Sequence, residues 1–194
     1  MSEIFKTHLK KFIDINEEEY YEIEAFIKIK SVPKKENLII EGAVRKEHYF
    51  VLEGCLRKFF INDKGVEQTT EFAIENWWIT DHIAFENQLP TRFYIQSVEN
   101  SKILILDSDT QEKLLKKFPK LERYFRFIYQ RAYATSQMRI KYFYDFSKEE
   151  FYHQLCKNQS QFVQRIPQYL IASYLGFSPE YLSEIRKKSV LKPV

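Results

Sequence analysis

The sequence predicts an α+β chain: an antiparallel β-roll of the jelly-roll or cupin-like kind with flanking helices, a long helix, and a C-terminal helix-turn-helix domain. Three observations carry this. Apolar residues recur at helical spacing over residues 3–30, fall into short runs cut by turn residues over 38–107, and return to helical spacing beyond Asp109. A length of 194 residues suits one large domain or two small ones. With 44% hydrophobic and 29% charged residues the chain buries a core, which excludes a disordered, collagen-like or disulfide-framework protein. The 17 Phe, 13 Tyr and 2 Trp stand against 4 Gly, so large flat side chains do much of the packing.

In the first segment Ile4, Phe5, Leu9, Phe12 and Ile13, then Ile23, Phe26 and Ile27, step by three and four, and Asn16 before Glu17-Glu18-Glu19 is a helix cap with acids in the first turn. Pro33 closes it. Strands are expected at Leu38–Ile40, Tyr49–Leu52, Leu56–Ile61, Thr69–Phe72, Phe93–Val98 and Ile103–Leu106. Turns separate them at Glu41-Gly42, Glu53-Gly54, Asn62-Asp63-Lys64-Gly65 and Glu99-Asn100-Ser101. Beyond them Leu121, Phe125, Ile128, Ala132 and Thr135 step by four and three, a seam that could pair with a copy of itself. Pro119 suits a first helical turn and no Gly or Pro interrupts before Ser147. A helix of roughly 25 residues, about 38 Å, fits. That exceeds what a small β core needs for cover, so a protruding dimer helix is expected, the alternative being a helix lying across the roll.

The division expected is 1–118 for the roll, 119–146 for the dimerisation helix and 147–194 for the helical domain. Residues 147–194 carry seven cations and four anions, so the whole formal charge of +3 lies there and the remainder is neutral. A neutral body with a basic end suits phosphate contact at that end. Cys55 and Cys156 are far apart, with no CxxC and no His at metal-finger spacing, so they are expected as reduced thiols without a structural metal. No run of about 18 apolar residues occurs, and Met1 to Lys11 mixes Glu, Lys and His. A cytoplasmic protein without a membrane partner is expected.

The stretch from Pro167 to Lys188 meets the demands of a helix-turn-helix. Ala172 is small where two helices cross closely, and Ile171 and Leu175 share a face. Gly176 stands where the chain must turn with positive φ. Ser178 can cap the second helix, Pro179 suits its first position, and Glu180 suits the positive end of its dipole. Leu182 and Ile185 point back to the first helix. That leaves Ser178, Pro179, Glu180, Ser183, Glu184 and Lys187 outward, a face that could read base edges in a major groove. Gln168, Tyr181 and Lys188 complete the candidate DNA contacts. A structural helical corner is the alternative.

Taken together, Glu41-Gly42, Tyr49-Phe50-Val51-Leu52-Glu53-Gly54-Cys55-Leu56-Arg57, Phe93 to Glu99, the long helix and Ile166 to Lys187 make the chain resemble the Crp/Fnr family of bacterial transcription regulators. It looks most like the short members common in Bacteroidetes. The resemblance implies a cyclic-nucleotide-binding-like sensor roll, a homodimer, double-stranded DNA as partner, contact with RNA polymerase and no enzymatic activity.

Cyclic-nucleotide binders of the family use a Gly-Glu pair and an Arg-Ser/Thr step. Here the stretch runs Trp77-Trp78-Ile79-Thr80-Asp81 without Gly, and Phe93 follows Arg92. An effector pocket is expected around Trp77, Trp78, Asp81, Thr91 and Arg92, for an unknown effector other than cyclic AMP, with Arg92 equally placed to be a surface charge. No cofactor or metal is expected: His82 and Glu86 have helical metal spacing but no third ligand. Arginines usual on the family's recognition helix are replaced by Pro179 and Glu184, and the six residues after Lys188 are too few for a β-hairpin wing. Two other functions remain open: a sensor module whose helix-turn-helix contacts a protein, and a cupin-like metalloprotein.

Overall fold

Strand β3 (Glu47–Glu53) shows how the roll is built, because it is buried on both faces. Tyr49 and Val51 point into the roll with Val32, Ile39, Leu56, Ile79, Ile95 and Ile103. Phe50 and Leu52 point the other way, into a second cluster with Phe5, Leu9, Tyr20, Trp78, Leu104, Tyr124 and Phe125. A strand covered on both sides reads as a continuous apolar run, as Tyr49–Leu52 does.

The computed structural model describes residues 2–44 and 46–190. Helices α1 (Glu3–Lys10) and α2 (Glu17–Glu24) precede β1 (Lys28–Val32), β2 (Asn37–Ile39), β3, β4 (Leu56–Ile61), β5 (Glu67–Ala73) and β6 (Trp78–Ile79). After α3 (His82–Asn87) come β7 (Tyr94–Ser97) and β8 (Ser101–Asp107), then α4 (Ser108–Lys117), α5 (Lys120–Asp145), α6 (Lys148–Asn158), α7 (Ser160–Arg165), α8 (Gln168–Leu175) and α9 (Pro179–Val190). Two four-stranded sheets form, in the orders β1-β8-β3-β6 and β2-β7-β4-β5. The pairings β1–β8, β3–β8, β3–β6, β2–β7 and β4–β7 are antiparallel.

Local chemistry explains the breaks. Asn16 and Glu19 form a capping box at α2, and Ser147 and Glu150 form another at α6. Gly54 has φ of 100°, and a Cβ there would lie 2.7 Å from the Ser101 Cα, so only Gly fits this tight β3–β4 turn. Three features depart from the sequence reading. The helical expectation over 3–30 ends early, because Lys28–Val32 pairs with β8 although four of its five residues are exposed. β6 and α3 were not expected: two residues show no period, and α3 is six residues long. The long helix spans 26 residues.

Two compact units emerge from the contacts: residues 1–60 with 71–132, and residues 61–70 with 133–194. This differs from the division expected at 118 and 146, since α5 belongs half to each and a hairpin of the roll groups with the C-terminal helices. No described helix is long and apolar enough to cross a membrane.

Candidate nucleic-acid interface

The last two helices are held by an apolar seam. Leu170, Ile171, Ala172 and Leu175 of α8 and Leu182 and Ile185 of α9 are all buried, none more than 3% exposed. α8 ends at Gly176, in the left-handed region at φ 73°, and the Phe177 amide donates to the Ala172 carbonyl at 2.8 Å. Ser178 then caps α9: its hydroxyl accepts from the Tyr181 amide at 3.2 Å. The residues that sequence reasoning assigned to turn, cap and seam therefore occupy those positions.

On the outer side Ser178, Pro179, Glu180, Ser183, Glu184, Lys187 and Lys188 are exposed. Two acids and two lysines make this face mixed in sign. Lys188 lies 3.5 Å from Glu149 in an exposed pair, which costs little to separate. Tyr181 is half-buried: its ring meets Phe177 edge-on at 5.7 Å, and Lys148 lies 5.4 Å from its centroid. Lys148 was missed by sequence reasoning because nothing in its helix links it to α9. Gln168 turns inward, donating to the Val163 carbonyl at 3.4 Å. Its neighbour Tyr169 is 51% exposed at the first turn of α8 and takes the outward place. Residues 191–194, part of the stretch after Lys188 read as too short for a wing, lie outside the described residues.

The five residues expected around an effector separate into different roles. Trp77 is 41% exposed, whereas Trp78 is 5% exposed and donates its indole N–H to the Tyr124 hydroxyl at 2.7 Å. Asp81 caps α3 by accepting from the Ile83 and Ala84 amides, and Thr91 donates to its other oxygen at 2.7 Å. Arg92 is exposed. Only Asp81 and Thr91 of the five are joined by a hydrogen bond, and that bond fixes a helix start.

Other polar groups lie deeper. Lys58 pairs with Glu71 at 2.6 Å and donates to the Thr80 carbonyl at 3.0 Å, its side chain 12% exposed. Arg57, 3% exposed, donates twice to the Gln96 side-chain oxygen and lies 4.0 Å over the Phe59 ring. His48 is fully buried against Trp78, with ring centroids 4.4 Å apart, and burial holds its pKa well below the usual histidine value. Among the described residues no three His, Cys, Asp or Glu gather as metal ligands. Cys55 is buried and Cys156 half-buried, and neither is in a disulfide.

The seam expected on α5 is corrected in part. Leu121 and Phe125 are 2% and 4% exposed within the chain's own core, and Ile128 packs against that core. Leu121 and Phe125 have almost no surface left to offer a second copy, whereas Ile128 is half-buried. Ala132 is half-buried and Thr135 exposed.

No family model matches the chain, and no curated protein resembles it in sequence. Solved structures do match. The c-di-GMP responsive global regulator CLP of Xanthomonas campestris is 11% identical over 91% of this chain and 92% of its own, with a TM-score of 0.75. FixK2 of Bradyrhizobium japonicum is 14% identical over 84% and 83%, with a TM-score of 0.69. The Thermus thermophilus catabolite activator protein is 15% identical over 90% and 83%, with a TM-score of 0.56. The chain has the fold of the Crp/Fnr regulators.

Proposed function

We propose that this chain is a DNA-binding transcription regulator of the Crp/Fnr type, acting as a homodimer on a pseudo-palindromic site under the control of an unknown effector other than cyclic AMP. The observation that carries this reading is the α8–Gly176–α9 unit, with its seam buried and the outer face of α9 open. Structures with the same fold include a catabolite activator protein and a global regulator, which supports the same reading.

In this reading the start of α9 enters the major groove. Ser178 and Glu180 come first, and Glu180 accepts from a cytosine amine. Lys187, about two turns beyond Glu180, meets phosphate. Two such helices one DNA turn apart, about 34 Å, read the two half-sites. The effector acts by favouring one arrangement of the two heads, which requires different affinities for the two arrangements. RNA polymerase is the expected further partner.

The test is fluorescence anisotropy with duplexes selected from genomic fragments at 50 mM salt, as an order-of-magnitude working condition. Binding that weakens linearly in log salt supports the proposal. No selected duplex bound would sink it, and binding of a protein partner without salt dependence would instead favour a protein-contacting sensor module.

A further inference from the structure

Strand β5 lies at the edge of its sheet, with β4 as its neighbour on one side only. An edge strand presents backbone donors and acceptors that must find partners. Here side chains of the C-terminal helices supply them. The Ser173 hydroxyl of α8 donates to the Glu67 carbonyl at 2.7 Å and accepts from the Thr69 amide at 2.9 Å. Arg139 of α5 donates to the carbonyls of Thr69 and Thr70 and, at 2.8 Å, to that of Tyr174. Its guanidinium lies 4.2 Å over the Tyr174 ring. All of these residues belong to one compact unit, the one that takes in hairpin 61–70 and residues 133–194.

The tie differs in kind from the α8–α9 seam. That seam is apolar and buried, whereas the hairpin leaves its own large apolar residues, Ile61 and Val66, 41% and 48% exposed and holds α8 by hydrogen bonds. Each such bond is exchangeable with water, so the contact can open without unmaking a core. The outer face of α9 stays exposed while the tie is closed, so the tie does not cover the reading face.

We propose that hairpin 61–70 is a strap that positions the reading head, with Ser173 and Arg139 as the positioning residues. β4 and β5 continue from the strap into the roll, so a shift of these strands is felt at α8 of the same chain. The consequence for DNA rests on the function proposed above; the strap itself does not.

The experiment compares wild type with Ser173→Ala, Ser173→Thr and Arg139→Gln by residue-resolved amide exchange and by duplex binding. In Ser173→Ala and Arg139→Gln the Thr69 amide and the amides of α8 should exchange about tenfold faster, and duplex affinity should fall about tenfold, the scale of one lost hydrogen bond. Ser173→Thr keeps the hydroxyl and should restore both. If the Thr69 amide changes by less than about twofold in Ser173→Ala and Arg139→Gln, the strap is not held by these bonds and the proposal falls. It falls equally if exchange rises while duplex affinity holds. If wild type binds no duplex, the DNA reading fails alone, and the strap stands or falls on whether hairpin and α8 lose protection together.

Discussion

His8 is kept neutral by its neighbours. The Trp78 indole N–H can only donate, so the Tyr124 oxygen accepts it at 2.7 Å, and the Tyr124 hydroxyl proton is left to donate to His8 Nδ1 at 3.0 Å. Burial, with Lys11 and Arg131 nearby, lowers the His8 pKa from 6.5 to about 4. Between those two values the unfolded chain binds more protons than the folded one. Stability is therefore full above pH 6.5 and is lost as pH falls toward about 4, by at most about 3 kcal/mol for this group. Buried His48 adds a loss of the same sign. His8→Gln keeps an acceptor for Tyr124 without a titrating ring, so its urea midpoint should fall less steeply from pH 7 to about 4.5. An equal slope would contradict the assignment. At Gly176 the backbone sits at φ 73°, where a β-branched residue is strained. Gly176→Val should cost the helical domain about 2 kcal/mol and abolish duplex binding while the roll's circular dichroism and near-ultraviolet signals persist.

Helix α5 shows how far an element is legible. Its length follows from the absence of breakers, and Leu121, Phe125 and Ile128 are buried or packed on the core. What the period could not say is which core they serve, because the same spacing marks a stripe facing the chain's own roll and one facing a second copy. The stripe left exposed is Tyr133, Gln137, Ile140 and Tyr144, with Tyr133 66%, Ile140 58% and Tyr144 85% exposed. A dimer of the proposed kind would use it. Ile140→Asp should convert dimer to monomer in sedimentation at micromolar concentration without loss of helicity, since the side chain is 58% exposed within its own chain. A dimer unchanged by Ile140→Asp, and by Tyr144→Asp, would place the contact elsewhere. The helix-turn-helix was legible for a different reason: turn, cap and seam each demand a residue type at a fixed offset, and Gly176, Ser178, Ala172 and Leu182 supply them within a dozen positions.

Across the whole molecule, the excess of cations lies in residues 147–194, while the rest of the chain is neutral. A DNA-binding head with few phosphate contacts should show a shallow salt dependence. Lys187, exposed at the last turns of α9, is expected to touch phosphate. Lys187→Ala should weaken all duplexes nearly equally and reduce the slope of log affinity against log salt by about one. A loss confined to one sequence would show that it reads a base. By itself the sequence determined the order of roll, long helix and helix-turn-helix, because period, turn chemistry and capping are local properties of the chain. Only the tertiary structure decided where Trp78, Asp81 and Thr91 are used, which stripe of α5 stays open, and that Ser173 and Arg139 close the edge of β5. Those outcomes join residues distant along the chain, whose meeting depends on how elements pack and leaves no periodic trace in any of them.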